Sequence, residues 1–476
     1  MTRRRTVCCG LFLILSLMTE SALGQRKSAD SWKGGTGNWS TGSDWSGGVP
    51  NSSSSVTIDS GGTDTVTLNQ NATIASLVLG GTTGTSTLQN LANTAENLTV
   101  TGATTINATG DLTFQNGSKL STGTLTVSGA LSLTGATAST TGNATLNSSS
   151  GLNLYSGSTL TVNGSLTNSS TSLYMGFGGG GNTLTVTGGL TNNGTLYMYG
   201  ANGGVGGDTL NVTGTLTNAS GASLQMYDSA NDMANIGTLS NSGTVYIGAG
   251  DTLNLTNQPN GITDVAAGSS LTVNGTFTAG SASGLAKLGS IEGSLTLGNG
   301  ATTNVTPGSG TLTVASGGSL TVTGTGTTLS ITGGLSDAGT VTVNSGNTLN
   351  ASQGMTDLPA SGSFVLYGST NALAKLATVE GGLTLEGGAS TSITPNGGTL
   401  TFNSGSGLVL YSGSGLTVNG NLTNSSGGFD MGFGGGGNTL TVTGNFTNNS
   451  ALYMYGANAG GGGDTLNVTG TLTNAS

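Results

Sequence analysis

The chain has 476 residues, of which 89 are glycine, and only 6% are charged, against roughly a quarter in an ordinary soluble domain. It contains no histidine, and both cysteines lie within the first ten residues. A processed chain therefore lacks the groups for histidine-based catalysis, His- or Cys-ligated metal sites and structural disulfides. Beyond residue 34, three lysines stand against seventeen acidic residues, so we expect no nucleic-acid partner.

Residues 1–24 have the three parts of a secretory signal peptide. Arg3-Arg4-Arg5 form a positive start, and the apolar run over 7–18 is too short to span a bilayer. Ala22-Leu23-Gly24 supply small residues for cleavage near Gly24. The sequence thus predicts an exported mature chain that is secreted or associated with the outer membrane, with no membrane insertion of its own. The lack of later cysteines favours a bacterial protein.

All three tryptophans follow this segment, as Trp32, Trp39 and Trp45. We interpret residues 25–60 as an N-terminal cap on a repeat array, because terminal repeats are regularly atypical and open sheet edges need protection. A sugar-binding aromatic patch is the alternative.

From residue 61 to 476 the sequence alternates aliphatic residues with Thr, Ser or Asn in short segments separated by Gly-rich turns, a pattern typical of β-strands. Thr159-Leu160-Thr161-Val162 returns in similar form at 183 and at 209, and each copy precedes a second strand such as Leu173-Tyr174-Met175. This spacing predicts an all-β fold, a single-stack right-handed parallel β-solenoid. At about 24 residues per turn, we expect about 17 turns and a rod about 80 Å long.

Tyrosines recur on the outward side of the second strands. They form a candidate ligand ladder: Tyr174, Tyr197, Tyr199, Tyr227 and Tyr246, with further members at Tyr453 and Tyr455. A row of exposed aromatic rings suits stacking on sugars or on a partner protein. The alternative is cross-strand stacking that only stiffens the sheet.

The glycine-rich stretch over 203–211 matches a calcium-binding nonapeptide, with Asp208 at the acidic position, and Asp464 lies at that position in a near match. These two aspartates are candidate calcium ligands. The motif needs tandem copies, and the neighbouring loop offers Asn182 instead of an acid, so a plain glycine-rich corner is the alternative. No other cofactor is predicted.

Asp228 and Asp232 form the densest acidic cluster, but no basic residue is near them in sequence. We therefore predict no catalytic activity, since β-helical lyases and hydrolases combine acids with Lys or Arg. Regular Thr-x-Thr pairs raise ice binding as an alternative, although Thr is also simply a good outward strand residue. The pairs are Thr159/Thr161, Thr183/Thr185, Thr311/Thr313, Thr399/Thr401 and Thr439/Thr441.

Two longer duplications accompany the short repeat. Residues 151–220 align without gaps to 407–476, and Leu285-Ala286-Lys287-Leu288 recurs as Leu373-Ala374-Lys375-Leu376. Arrays grow in this way because each turn contacts only its neighbours. Because the second long copy stops within a repeat at Ser476, we expect the sequence to be a fragment or a truncated reading frame.

The tryptophan-rich opening before Val49-Pro50, followed by Gly-, Thr- and Asn-rich repeats with Leu-Thr-Val strands, resembles bacterial autotransporter passenger domains. It is similar also to autotransporter-associated β-strand repeats and filamentous-haemagglutinin-like surface proteins. The resemblance implies a β-helical surface protein and carries no site residues with it. We expect an adhesin-like display rod that meets surface polysaccharide or the surface of a host or neighbouring cell. A carbohydrate-binding or carbohydrate-acting β-helix protein is the alternative.

Overall fold

The computed structural model describes residues 28–90, 93–176, 179–200, 206–227, 231–432, 435–456 and 462–475. In these residues the secondary structure is almost entirely β-strand, and the one helical segment is the 3₁₀ turn Gly42–Asp44. The strands stack in parallel, turn upon turn, so the predicted parallel β-solenoid is confirmed. One sheet takes a strand from each of 19 turns, slightly more than expected, and 19 rungs make a rod of about 90 Å.

Each regular turn is built from up to three short strands, which lie on three faces of the rod. Within Thr159–Val162 the alternating pattern buries Leu160 and Val162 and leaves both threonines half exposed. The next turn repeats the register, so that Leu160 pairs with Leu184. Aliphatic side chains therefore stack on their counterparts in adjacent turns, which is how a chain with few aromatic residues builds a continuous core.

Face one is a single unbroken sheet along the whole rod. Its strands are Gly35–Asn38, Thr63–Leu68, Thr85–Asn90, Gly110–Gln115, Ala130–Thr134, Gly151–Tyr155, Ser172–Met175, Thr195–Met198, Ser223–Met226, Thr244–Ile247, Ser270–Val273, Ser294–Leu297, Ser319–Val322, Thr340–Val343, Ser363–Leu366, Gly382–Leu385, Gly407–Leu410, Gly428–Met431 and Leu452–Met454.

Faces two and three form one 17-stranded sheet in the N-terminal half, because four long strands cross the corner between them. The strands of this sheet are Ser28–Ser31, Ser54–Ile58, Ala72–Ile74, Ser76–Leu79, Asn97–Ile106, Lys119–Val127, Thr137–Thr140, Ala144–Leu146, Thr159–Val162, Leu166–Asn168, Thr183–Val186, Leu190–Asn192, Thr209–Asn218, Met233–Asn241, Thr252–Leu255, Thr276–Ala279 and Ala282–Ser283. The last strand pairs antiparallel with its neighbour.

Faces two and three separate in the C-terminal half, where each consists of two consecutive sheets. On face two the strands are Thr302–Val305, Thr328–Ile331, Thr348–Ala351 and Ser369–Thr370, followed by Ser390–Ile393, Gly415–Val418, Thr439–Val442 and Thr465–Val468. On face three they are Asp264–Val265, Ser290–Ile291, Thr311–Val314 and Gly334–Asp337, followed by Asp357–Leu358, Thr378–Val379, Thr399–Phe402, Asn421–Asn424, Phe446–Asn448 and Leu472–Asn474.

The interruptions of face two coincide with the duplicated tetrapeptide. The leucines of Leu285-Ala286-Lys287-Leu288 and of its copy over 373–376 are buried, while Lys287 and Lys375 are exposed. Each tetrapeptide lies in the turn where one sheet of face two ends, and the next sheet begins one turn later. A sequence repeat found by inspection thus marks the places where the regular stack is broken.

A buried asparagine ladder runs inside face three. Asn168 Nδ2 donates to Asn192 Oδ1 at 2.7 Å, and the same bond links Asn192 to Asn218 and Asn218 to Asn241 at 2.8 Å. The second copy contains an equivalent ladder through Asn424, Asn448 and Asn474. These side chains satisfy one another, so polar groups enter the core without loss of hydrogen bonds.

The three tryptophans are buried together at the first turn. Trp45 packs edge-on against Trp32 and Trp39, with ring centroids 5.0 and 4.9 Å apart, and its Nε1 donates to the Trp39 carbonyl at 2.9 Å. None of the three rings is exposed by more than 3%, so they cover apolar side chains and do not present a surface to a sugar. The division into a cap over 25–60 and repeats over 61–476 stays a prediction.

Candidate functional site

The tyrosine ladder lies on face one, in two adjacent columns. In the first column Tyr174 is in register with Tyr197, and Gln225 separates Tyr197 from Tyr246. The second column contains Tyr199 and Tyr227, each directly after its strand. The structure therefore brings all five predicted ladder residues together on one side of the rod.

The rings of the ladder stack nearly parallel to one another. Ring centroids are 5.1 Å apart for Tyr174 and Tyr197, and 4.9 Å for Tyr199 and Tyr227, with interplanar angles of 14° and 7°. Tyr246 joins at a steeper angle of 42° to Tyr227. Stacking of this kind covers the ring faces within the ladder. The ring edges are what the ladder offers to a partner, which is a different surface from the open ring face that stacks on a sugar.

Burial and the neighbouring rings change the pKa values of two tyrosines in the ladder. The pKa of Tyr199 is raised by burial and then by its neighbours, first Tyr227 and then Tyr197 and Tyr174. The pKa of Tyr227 is raised for the same reasons. Tyr199 and Tyr227 therefore stay uncharged at neutral pH and act through apolar contact and neutral hydrogen bonds.

Behind the second column lies a buried row that we call the corner column: Ser158, Asn182, Asp208, Asp232 and Asp251. Each residue directly precedes a strand of face two. Each side chain from Asn182 onward accepts a hydrogen bond from the backbone N–H of the preceding member. The four bonds measure 3.0, 3.0, 2.7 and 2.9 Å along the column. The column thus ties each turn to the next at the corner between faces one and two.

Asp208, a predicted calcium ligand, has both carboxylate oxygens engaged by amide donors. Oδ1 accepts from the backbone N–H of Asn182 at 3.0 Å and from its Nδ2 at 2.8 Å, and Oδ2 accepts from Gly200 N–H at 3.3 Å. Burial raises the pKa of Asp208 and these hydrogen bonds oppose that rise. Amide N–H groups stabilise a carboxylate without a cation. The carboxylate thus acts as a structural acceptor at the corner.

Asp464, the second predicted calcium ligand, repeats this arrangement. It accepts from the N–H and Nδ2 of Asn438 at 3.1 and 2.9 Å and from Gly456 N–H at 3.0 Å. In the described parts of the chain, no group of three or more Asp, Glu, His or Cys residues is placed to hold a metal ion. Residues 203–205 of the glycine-rich motif lie outside those parts. Calcium binding stays a prediction, which a thermal melt with and without chelator tests.

Of the acidic cluster considered for catalysis, the structure describes only Asp232. Asp228 lies outside the described residues, whereas Asp232 is buried in the corner column. Burial raises the pKa of Asp232 to about 7, opposed by the hydrogen bond from Asp208 and assisted by the like charges of Asp208 and Asp251. Its Oδ2 has no hydrogen-bond partner among the described residues. Asp232 is thus a proton-binding group inside the scaffold.

The Thr-x-Thr pairs do not form one surface. Three of them belong to strands of face two, at Thr159–Val162, Thr183–Val186 and Thr439–Val442. The pairs in Thr311–Val314 and Thr399–Phe402 lie on face three. A flat ordered-water array that uses all five pairs is therefore not present.

Comparisons with protein-family models, curated proteins and solved structures find no match for the chain. No helical segment in the described part of the chain has the length and hydropathy needed to cross a membrane.

Proposed function

We propose that this protein is an exported bacterial surface rod that displays its faces in an adhesin-like manner and carries out no catalysis. The observation that carries the proposal is the unbroken sheet of face one, which continues through all 19 turns. Rod stability then grows with the number of stacked interfaces, which suits a protein that holds a surface away from the cell.

The chemistry of the acidic residues supports the absence of catalysis in this proposal. The carboxylates that the fold gathers, Asp208, Asp232 and Asp251, are buried and accept backbone hydrogen bonds from neighbouring turns. A catalytic acid needs a path to substrate and a partner base or acid at a defined separation. These carboxylates are instead enclosed by the turns they join.

Export and display are tested together in a bacterial host. Intact cells that express the full chain are probed with an antibody to face one, before and after protease is added outside the cells. Small-angle scattering of the purified chain measures its longest dimension. We expect surface labelling and a dimension near 90 Å. A matched variant with Arg3→Glu, Arg4→Glu and Arg5→Glu loses the positive start and keeps the protein inside. Labelling that is equal for both variants, or absent for both, would contradict the proposal.

Carbohydrate binding at the ladder is the second candidate function, favoured by the five clustered tyrosines. Because the ring faces are covered by stacking, we expect recognition through ring edges and hydroxyl groups. Retention on immobilised polysaccharide should fall for Tyr197→Ala with Tyr227→Ala, and also for Tyr197→Phe with Tyr227→Phe. Tyr411→Ala, outside the ladder, is the control. Unchanged retention of the alanine pair removes this candidate.

A further inference from the structure

Face three contains a gap between two strands of adjacent turns. The strand Met233–Asn241 pairs with the preceding turn along Thr238 to Asn241, but with the following turn only along Met233 to Ile236. Asp264–Val265, the next strand on this face, pairs with Ser290–Ile291 on its far side. No strand in the described residues pairs with its near side. Two strand edges therefore face each other without pairing.

The gap is a cleft of about 250 Å³ with an amphipathic lining. Leu239, Val265 and Leu271 form a buried apolar floor together with the half-buried Ile262. Gln258 supplies an amide group at its wall, whereas the Asn241 side chain is bonded to Asn218, Gly243 and Ser270. An apolar floor with a few convergent polar groups is the usual composition of a small binding site.

The backbone of the first edge is directed into the cleft. Leu239 N–H donates to Gln258 Oε1 at 2.9 Å, so this group points away from the preceding turn. Ser242 N–H donates back to the Asn218 carbonyl at 2.8 Å. Backbone groups alternate in direction along a strand. The carbonyl of Leu239 and the N–H and carbonyl of Asn241 therefore point into the cleft.

The second edge presents its backbone in the same way. The carbonyls of Thr263 and Val265 accept from residues of the following turn, Ser290 and Glu292. The same alternation then directs the N–H and carbonyl of Asp264 toward the cleft. The Gln258 side chain bridges part of the opening, since its Nε2 donates to the Gly261 carbonyl at 2.8 Å. Its amide occupies the place that a peptide group of an added strand would take.

We propose that this cleft binds a short extended peptide strand, which pairs with the two edges and displaces the Gln258 amide. Strand addition draws its affinity from main-chain hydrogen bonds and its selectivity from pockets for alternate side chains, and the floor formed by Leu239 and Ile262 suits one small aliphatic side chain. A sugar is the weaker fit, because no aromatic ring lines the cleft. Asp264 is exposed at the rim and would repel an acidic strand, so the partner is an uncharged or basic strand. This binding goes beyond the proposed display role.

The probe is a fluorescent peptide with the sequence of residues 214–221, the strand that occupies the preceding rung of face three. Anisotropy is measured with the full chain. Gln258→Ala empties the cleft of its own amide and is expected to tighten binding at least about threefold. Ile262→Trp fills the floor and is expected to weaken binding about tenfold. Gln225→Ala, on face one, is the control and should leave binding unchanged.

A loss of folding would weaken peptide binding in both cleft variants. Tighter binding by Gln258→Ala and weaker binding by Ile262→Trp therefore indicate a specific site. Far-UV circular dichroism confirms that each variant keeps its β structure. The proposal is overturned if neither wild type nor Gln258→Ala binds the peptide, or if Ile262→Trp binds as well as wild type. Competition by a neutral tetrasaccharide but not by unlabelled peptide would also overturn it and assign the cleft to sugars.

Discussion

The two copies of the long duplication, 151–220 and 407–476, keep the same buried polar scaffold but differ on the surface. The Asn182–Asp208 and Asn438–Asp464 contacts agree to within 0.1 Å in each of their two bonds, and both copies contain the asparagine ladder. On face one, however, Tyr174 corresponds to Asp430. The buried polar scaffold thus specifies the turn, whereas the face-one surface is free to change.

The largest expected effect comes from adding a methyl group beneath the corner column. Gly176 has φ +89°, and a Cβ there would lie 2.3 Å from Asp208 Oδ2. Gly176→Ala should lower the free energy of unfolding by about 4 kcal/mol, since left-handed strain and overpacking add together. Gly151→Ala, where a Cβ meets nothing within 4 Å, is the matched control in chemical denaturation followed by circular dichroism. Equal stability of the two variants would show that the corner is not rigid.

Acid should stabilise the protein through Asp232. Its pKa in the fold is about 7, above its usual value near 3.8, so folding binds a proton. This stability is fully present below about pH 4 and is lost as pH rises through 7. Asp232→Asn removes the part of this dependence that Asp232 contributes, and at pH 8 it should be more stable than wild type by up to about 4 kcal/mol. Asn182 shows that an amide fits this column.

The measurement for Asp232→Asn is the denaturation midpoint at pH 5 and pH 8. Asp111→Asn, at a half-exposed position on face one, serves as the charge-matched control. A wild-type midpoint that does not fall between pH 5 and pH 8 would contradict the assignment of Asp232 as a buried proton-binding group.

A similar but isolated group lies between the two copies, at Asp337. It is aligned with Val314 in the preceding turn, is buried, and accepts one hydrogen bond from Gly339 N–H at 3.1 Å. Burial raises its pKa to about 7, opposed by that hydrogen bond. Asp337→Asn should therefore stabilise the protein at pH 8 by about 3 kcal/mol, and this gain should shrink as the pH is lowered and vanish below about pH 4.

Salt distinguishes the two aspartates. The pKa of Asp232 is assisted by like charges in adjacent turns, whereas no like charge contributes to that of Asp337. Denaturation at pH 8 in low and high salt should therefore change the effect of Asp232→Asn more than that of Asp337→Asn. Equal salt responses would show that the acidic members of the corner column do not interact.

The smallest effect is expected from rebuilding the missing tyrosine in the second copy. Asp430→Tyr places a ring beside Tyr453, in the register that Tyr174 and Tyr197 share in the first copy. Stacking should add about 0.5 to 1 kcal/mol. The carboxylate of Asp430, after burial, raises the pKa of Tyr411, so its removal should lower that pKa. Ultraviolet titration of tyrosinate in Asp430→Asn, which keeps the number of tyrosines, measures the change, and a curve equal to that of wild type would show that the two side chains do not interact.

The regular part of the fold could be predicted because its signals are local and repeated. Alternation within Thr159-Leu160-Thr161-Val162 predicts which side chains point inward, and the spacing of its copies predicts the length of a turn. The structure confirms both in the register of Leu160 with Leu184. The gap before Asp264–Val265 could not be predicted, because it depends on the conformation of the loop over 256–263, which has no repeated sequence signal.

The corner column was missed although its signal is visible in the sequence. Asp208, Asp232 and Asp251 each stand directly before a strand, where Asn182 and Ser158 stand in other turns. Taken separately, Asp208 belongs to a calcium-binding motif and Asp232 belongs to the acidic cluster considered for catalysis. When the turns are aligned by the start of this strand, one position repeatedly holds a buried polar acceptor. The two columns of the tyrosine ladder follow from Tyr199 and Tyr227, which lie directly after the strands that carry the first column, and Gln225 interrupts that first column.

The sheet breaks on faces two and three have a mechanical consequence. In this architecture the interstrand hydrogen bonds run along the rod, so tension applied between its ends loads one inter-turn interface after another. Interfaces bonded on all three faces resist together, whereas the turns near 256–301 and 338–389 are joined by fewer strands. Under tension the rod should part at these turns first, giving three blocks that each extend in a separate step.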